Sequence, residues 1–310
     1  MFLVNSDGAY YQGGYAGTFA LDAGTGSQKW YDEYNEPFGD NAPAVANGML
    51  YSGVLEPESI NQNVFALDTI SGRWKWGLSL GGLVDCAPVV VNNVVYFVGP
   101  KPPTCATPWT QLLATNCGLS LPETMGVESS PAVADGVVYL GANDYNVYAV
   151  NATTGTKMWN YATGDTAKSW PAVANGVVYI GSADLNIYAL DGASGALLWL
   201  YVTSGQVNSS LAVANGVVYV GCDDENVYAL DAKTGTKLWN YTTGGSVDSS
   251  AAIANGVVCV GIGRWQGVRA QRQHRCQTVE LRDRRRSPKS RVRYFLLAVQ
   301  RAYLTERLGP

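Results

Sequence analysis

Histidine is almost missing from this chain: one, His274, occurs in 310 residues. Residues 1–261 therefore lack the commonest general base, and no Ser-His-Asp set can be assembled there. There is no glycine-rich phosphate loop and no His-Cys metal spacing. No two of the 6 cysteines are adjacent. No apolar run reaches the roughly 18 residues of a membrane span. The start, MFLVNSDG, shows neither the basic nor the long apolar region of a secretory signal. These absences leave no catalytic residue to assign. Charged residues are also sparse, at 15%. What is plentiful is glycine (35), tyrosine (19) and tryptophan (9). That mixture suits short strands and tight turns better than helices.

The charge is divided unevenly. Residues 1–261 hold 8 Lys and Arg against 22 Asp and Glu, a balance of −14. Residues 262–310 hold 13 against 3, a balance of +10. Arg occurs once in the first piece, as Arg73, and 12 times in the second. The two pieces are read separately for that reason.

The first piece is repetitive. GVVYLGANDYNVYAVNATTGTKMWNYATG begins at Gly136, GVVYIGSADLNIYALDGASGALLWLYVTSG at Gly176, and GVVYVGCDDENVYALDAKTGTKLWNYTTGG at Gly216. Tyr11, Tyr51, Tyr96, Tyr139, Tyr179 and Tyr219 mark one strand, with Cys259 in the seventh place. Their intervals are 40, 45, 43, 40, 40 and 40 residues. Each unit reads as four short strands. "SSPAVA" precedes an Asn-Gly or Asp-Gly hairpin turn, "VVYVG" follows it, "NVYALD" alternates apolar and polar residues, and "KLWNY" closes the unit. Four antiparallel strands per repeat, with no helical stretch between them, predict an all-β β-propeller of about seven blades, the last one incomplete.

At the turn between third and fourth strands the sequence resembles the pyrroloquinoline-quinone (PQQ)-like propeller repeat, Ala-x-Asp-x-x-Thr-Gly-x-x-x-Trp. Copies stand at Ala20-Asp22-Thr25-Gly26-Trp30 and Ala66-Asp68-Ser71-Gly72-Trp76. Three more stand at Ala149-Asn151-Thr154-Gly155-Trp159, Ala189-Asp191-Ser194-Gly195-Trp199 and Ala229-Asp231-Thr234-Gly235-Trp239. Glycine supplies a turn conformation other residues avoid, and Asp and Thr close the turn by bonding backbone groups. The tryptophan offers a flat surface for packing. The resemblance implies that it docks one blade onto its neighbour. Trp159, Trp199 and Trp239 are expected to be largely buried between blades.

Residues 1–261 are thus expected to form PQQ-like propeller repeats, with an irregular blade and insert at about 97–130. That insert, PKPPTCATPWTQLLATNCGLSLPETMG, lacks the docking motif. Cys105 and Cys117 bracket it and form a possible disulfide, the alternative being two unrelated small apolar residues. Leu3–Gly8 aligns with the "PAVADG" before a second strand, so the chain is expected to begin inside a blade of a longer propeller gene, its export signal upstream.

Residues 262–310 break the pattern. The period asks for Asn at 266, Gly at 275 and Trp at 279, where the chain has Gln266, Arg275 and Val279. Back-translated and read one nucleotide out of frame, Ile262–Arg285 allows SDGGKVYALNASTGAKLWNYATGG, a full repeat in the expected register. The basic tail is accordingly expected to be frameshifted, not a domain, and to add no outer strands. The alternative is a genuine basic tail for nucleic acid or membrane. On the frameshift reading its charge says nothing about partners, and no nucleic-acid partner is expected.

Two functions remain. The leading one is a non-catalytic propeller that binds a protein partner through blade edges and loops, with no cofactor. The resemblance implies an extracytoplasmic location for it. The alternative is a quinoprotein dehydrogenase, or a fragment of one, holding PQQ and calcium and oxidising alcohols or sugars. The family's active members are longer and carry an adjacent cysteine pair that this chain lacks. The turns Asn143-Asp144, Ala183-Asp184 and Asp223-Asp224 recur at one place in successive repeats. They read either as a cation-attracting ring or as hydrogen-bonded hairpin turns.

Overall fold

Asn-Gly and Asp-Gly pairs turn the chain back on itself at the expected interval. Asp135, Asn175 and Asn215 have φ of 50°, 52° and 52°, and Gly136, Gly176 and Gly216 have φ of 75°, 73° and 75°. Two successive positive φ values match the twist of the flanking strands. A computed structural model describes residues 2–5, 16–22, 25–34, 43–53, 64–78, 86–97, 127, 129–254, 257–262 and 275–280. Among them every regular element is a strand.

Seven sheets follow one another in chain order, each antiparallel and each wound from its first strand to its last. The first holds β1 (Phe2–Asn5), β2 (Ala16–Leu21) and β3 (Gln28–Tyr34). The second holds β4 (Ala44–Ala46), β5 (Met49–Gly53), β6 (Val64–Asp68) and β7 (Trp74–Leu78). The third is a pair, β8 (Val89–Val91) and β9 (Val94–Tyr96). The fourth holds β10 (Ala132–Ala134), β11 (Val137–Gly141), β12 (Asn146–Asn151) and β13 (Lys157–Ala162). The fifth holds β14 (Ala172–Ala174), β15 (Val177–Gly181), β16 (Asn186–Asp191) and β17 (Leu197–Val202). The sixth holds β18 (Ala212–Ala214), β19 (Val217–Gly221), β20 (Asn226–Asp231) and β21 (Lys237–Thr242). The seventh holds β22 (Ala252–Ala254), β23 (Val257–Ile262) and β24 (Arg275–Glu280). The first strands of the second to seventh sheets neighbour one another in succession, so the sheets radiate as the blades of a propeller.

The core lies between successive sheets. Tyr139, Val147, Ala149 and Trp159 of the fourth sheet pack against Val178, Ile180, Tyr188 and Leu190 of the fifth. β15, β16 and their counterparts are buried on both faces, which is why they are near-continuous runs of Val, Ile, Leu, Tyr and Ala. The hairpin between third and fourth strands slips register beside Ala149, Ala189 and Ala229. Such a bulge increases the local twist.

A serine clamp pins the end of the second strand in the fifth, sixth and seventh sheets. Gly181 N–H donates to Ser169 Oγ at 2.7 Å, and Ser169 Oγ donates to Gly181 C=O at 3.1 Å. Ser209 holds Gly221 in the same two-way manner, at 2.9 and 2.7 Å. Ser249 holds Gly261 at 2.6 and 3.0 Å. A Cβ on Gly181 would stand 2.7 Å from the carbonyl oxygen of Val207, so only glycine lets the next loop lie this close.

The ends of the chain depart from the expected register. Tyr11 lies outside the described residues, and Phe2 takes the place opposite Ala20 that Tyr51 takes opposite Ala66. The tail does add an outer strand, contrary to expectation: β24 pairs with β23, Gly261 opposite Cys276. In the sixth sheet Gly221 pairs with Val227, so the third strand of the seventh starts nine residues late. Strand pairing uses backbone groups and demands no particular side chains, so a strand can form without the repeat. A fourth strand is absent from the seventh sheet among the described residues.

Ser209→Ala would leave the Gly221 N–H and C=O buried without their partner. We expect a loss of about 1–3 kcal/mol, read as a lower urea midpoint at unchanged m-value. An unchanged midpoint would refute the clamp.

Candidate functional site

The residues singled out by the repeat lie at one end of each sheet. Asp191 Oδ1 accepts from Ser194 N–H at 2.8 Å and Ser194 Oγ at 2.7 Å. Gly195 N–H donates to Asp191 C=O at 2.8 Å. Asp231 and Thr234 repeat the arrangement at 2.8 and 2.9 Å, as do Asp68 and Ser71 at 2.8 and 2.8 Å. Donors aimed at an ionised carboxylate favour it. The Ser194 hydroxyl and amide lower the Asp191 pKa, and the Thr234 hydroxyl and amide lower that of Asp231. The Ser71 amide and hydroxyl, with Lys75 adding less, hold Asp68 at about 2.

Three of the five tryptophans reach across to the next sheet. Trp159 Nε1 donates to Gly192 C=O at 2.9 Å, Trp199 Nε1 to Ala232 C=O at 3.0 Å, and Trp30 Nε1 to Thr69 C=O at 2.9 Å. Each indole lies on the turn glycine of that sheet. A Cβ on Gly195 would stand 2.7 Å from Trp159 Cδ2; on Gly235, 2.7 Å from Trp199 Cδ2; on Gly72, 2.7 Å from Trp30 Cε3. Tyr139 and Tyr179 support the same joints, donating to Gly192 C=O at 3.1 Å and Ala232 C=O at 3.0 Å.

Each motif tryptophan of the second, fourth, fifth and sixth sheets also packs on a tyrosine of its own sheet: Trp76 on Tyr51, Trp159 on Tyr139, Trp199 on Tyr179 and Trp239 on Tyr219, at 6.0, 5.9, 5.8 and 5.9 Å between ring centres. Trp76 and Trp239 also border the cores shared with the following sheets. Gly26 and Gly155 have φ of 73° and 71°, and a Cβ on Gly26 would meet nothing within 4 Å. Trp159 is buried, whereas Trp199 and Trp239, on the corresponding outermost strands of the next two sheets, are half-buried. Cys105 and Cys117 lie outside the described residues.

The opposite end carries the acidic turns. Tyr188 OH donates to Asp184 Oδ2 at 2.6 Å, and Asn186 N–H to Asp184 Oδ1 at 3.0 Å. Tyr148 with Asp144 and Tyr228 with Asp224 are built alike, both at 2.5 Å. Burial and the neighbouring carboxylate push all three tyrosine hydroxyls up. The turns of the fifth and sixth sheets are also tied to the loop entering their own blade, Ala183 N–H donating to Thr166 C=O at 2.9 Å and Asp223 N–H to Gln206 C=O at 3.0 Å, and to the loop entering the next, Val207 N–H donating to Ser182 C=O at 3.1 Å and Val247 N–H to Cys222 C=O at 3.2 Å. Asp144, Asp184 and Asp224 thus act as hydrogen-bonded turn residues.

Asp223 is the exception, and sequence reasoning grouped it with its neighbours. Its Oδ2 accepts from Asn208 Nδ2 at 3.1 Å, while its Oδ1 is buried without a donor. Burial pushes the carboxyl up to about 7, and Asp248, on the loop entering the seventh sheet, adds its own hydrogen bond and charge. Asn143 and Ala183 hold the equivalent place in the two preceding repeats, so the pair occurs once. The separation of 25 positions between its members gave no signal to find it by. Among the described residues no three His, Cys, Asp or Glu side chains gather as a metal site.

A family model described as outer membrane protein assembly factor BamB matches residues 16–107, 119–170 and 163–287. No curated protein matches the chain. The crystal structure of BamB from Moraxella catarrhalis is 18% identical, covers 80% of this chain and 76% of its own, and superposes with a TM-score of 0.59. The computationally designed Ika8 protein is 16% identical over 80% of this chain and 77% of its own, with a TM-score of 0.64. These two likenesses establish the propeller fold. A quinohemoprotein alcohol dehydrogenase from Pseudomonas putida HK5 overlaps only 44% of this chain and 28% of its own, at 24% identity and a TM-score of 0.41.

Two outcomes follow from these two ends. Gly216 and Gly235 both have positive φ, but only Gly235 lies under an indole. Gly235→Ala is therefore expected to cost about 1–3 kcal/mol more than Gly216→Ala, measured by denaturant unfolding; equal losses would remove the joint. At the acidic end, Asp223 is protonated more readily folded than unfolded. Its stabilising proton is fully held below pH 4 and lost as pH rises through about 7. After discounting for its partial exposure, we expect about 1 kcal/mol, or ~2–3 °C, to be lost between pH 5 and 8. Asp223→Asn should abolish that slope while leaving any part due to His274.

Proposed function

Because the chain belongs to the family described as outer membrane protein assembly factor BamB, we propose that it is a non-catalytic β-propeller that binds a protein partner. The observation that carries this reading is where the repeated polar side chains are spent. The Asp and Ser or Thr of the motif close turns, and the buried serines clamp strand ends. What the repeats leave to solvent is edge strand and loop. The motif residues Gly72, Gly195, Gly235, Trp30, Trp159 and Trp199 serve on this reading as blade joints rather than as a ligand site. The family description also supports an extracytoplasmic location. Among the described residues no helix is long and apolar enough to cross a membrane.

The quinoprotein alternative requires calcium as well as PQQ. Calcium takes six to eight oxygens. The described residues that come nearest to such a set are Asp223, Asp248 and Asn208, and the buried Asp223 already favours a proton. This donor set does not fit calcium.

PQQ and Ca²⁺ titration, followed by dye-linked alcohol oxidation, separates the two readings. We expect no saturable PQQ binding and no turnover. Saturable binding with turnover would overturn the scaffold.

A further inference from the structure

The fourth strands of the repeats are built to a pattern that β17 breaks. β13 reads Lys-Met-Trp-Asn-Tyr-Ala and β21 reads Lys-Leu-Trp-Asn-Tyr-Thr, but β17 reads Leu-Leu-Trp-Leu-Tyr-Val. In the siblings the outward face begins with an exposed Met158 or Leu238, as β17 begins with Leu198, but its centre is polar and occupied. Asn160 Nδ2 donates to Asn146 Oδ1 at 3.0 Å, and Asn240 Nδ2 to Asn226 Oδ1 at 3.1 Å. Lys157 Nζ donates to Asn160 Oδ1 at 3.2 Å. Lysine on an edge strand is a common guard against added strands. β17 has Leu197 in place of that lysine and Leu200 in place of the asparagine. Leu198, Leu200 and Val202 are 51%, 46% and 62% exposed. The other face of β17 is in use, Trp199 on the sixth sheet and Tyr201 against Tyr228 at 5.7 Å. β17 ends its sheet, so one row of its backbone groups has no strand partner among the described residues.

The charge around this edge has one sign. Residues 169–232 contain no Lys or Arg and six acidic residues. Asp22 and Asp68 each pair with a lysine seven residues on, Lys29 at 3.3 Å and Lys75 at 3.4 Å. Seven residues after Asp191 stands Leu198. The half-buried Asp191 carboxylate beside the start of β17 therefore lacks the cation that Asp22 and Asp68 have, as does Asp231, which Leu238 follows at the same distance. Resting on the scaffold reading above, we propose that the outer edge of β17 takes up an extended segment of a partner protein, alternating in apolar residues and carrying a Lys or Arg beside Asp191. Backbone pairing supplies the attraction, the Leu198–Leu200–Val202 row selects apolar side chains, and Asp191 fixes the end that bears the cation.

The test uses the full chain and a dye-labelled synthetic peptide, Lys-Val-Thr-Val-Thr-Val-Thr-Lys, followed by fluorescence anisotropy. We expect saturable binding, weakened at least ~10-fold in Leu198→Lys/Leu200→Asn, about 1.4 kcal/mol. That variant carries residue types already found on sibling edges, so its fold is expected to hold, and circular dichroism checks this. Asp191→Asn should weaken binding a few-fold at low salt and flatten its salt dependence. Met158→Ala, on β13, should leave it unchanged. A peptide methylated at alternate backbone nitrogens keeps its side chains and should not bind. Absence of saturation up to millimolar peptide, equal affinity in the β17 variant, or equal affinity of the methylated peptide would overturn the proposal. So would a dimer, seen by sedimentation, that Leu198→Lys/Leu200→Asn dissociates, since the occupant is then a second copy. Lack of peptide binding removes only this edge, whereas PQQ-dependent turnover removes the scaffold reading itself.

Discussion

The indole of Trp159 lies where the side chain of any residue but glycine at 195 would begin. That close approach sets two demands at one position. Gly195 must be small because the ring is 2.7 Å from a would-be Cβ, and it must tolerate a φ of 74° because it closes the turn. Gly235 under Trp199 and Gly72 under Trp30 meet the same two demands. The ring then supplies area, and its N–H finds a carbonyl one turn away, so no polar atom is lost in the joint. Because the tryptophan and the glycine belong to different repeats, the joint ties the length of one repeat to the next. The regular 40-residue spacing of the fourth to sixth repeats follows from that tie.

Fixing the blades at one end leaves the other end to be held by loops. The loop entering each blade bonds back to the acidic turn of the blade before it and forward to the turn of its own. Side chains there are mostly satisfied in place, by tyrosine hydroxyls and backbone amides. The motif aspartates are ionised well into the acid range for the same reason, with donors aimed at them from the next two or three residues. Variation between repeats is tolerated where none of these constraints applies. Position 223 at the acidic end and the outward face of the fourth strands are two such places, and both differ between siblings.

Much of this was legible because the repeat displays each constraint several times. The hairpin turns and the strand order follow from the repeat, and the family resemblance from the residues of its motif. The joints were legible as a motif, and Trp76 and Trp239 make the same contact with a tyrosine of their own sheets as Trp159 and Trp199 do. A motif records what a repeat offers, and the joint also needs what the next repeat presents. The serine clamp stands three residues before the Ala-x-Ala of each of the last three repeats, at Ser169, Ser209 and Ser249, and went unread, since a buried serine looks like any small residue in a strand. The Asp223–Asp248 pair was illegible because burial, not sequence distance, makes the two carboxyls interact.

The seventh sheet separates what backbone can do from what side chains must do. Gly195 follows Trp159 by 36 residues, and Gly235 follows Trp199 by 36. The glycine for Trp239 is thus due at 275, where the chain has Arg275, the first residue of β24. β24 still pairs with β23 along six residues, because a ladder of N–H and C=O groups needs no glycine and no tryptophan. Arginine carries the Cβ for which the joints at Gly72, Gly195 and Gly235 leave no room. The out-of-frame reading of Ile262–Arg285 allows glycine at 275 and tryptophan at 279, the two residue types that backbone pairing cannot replace.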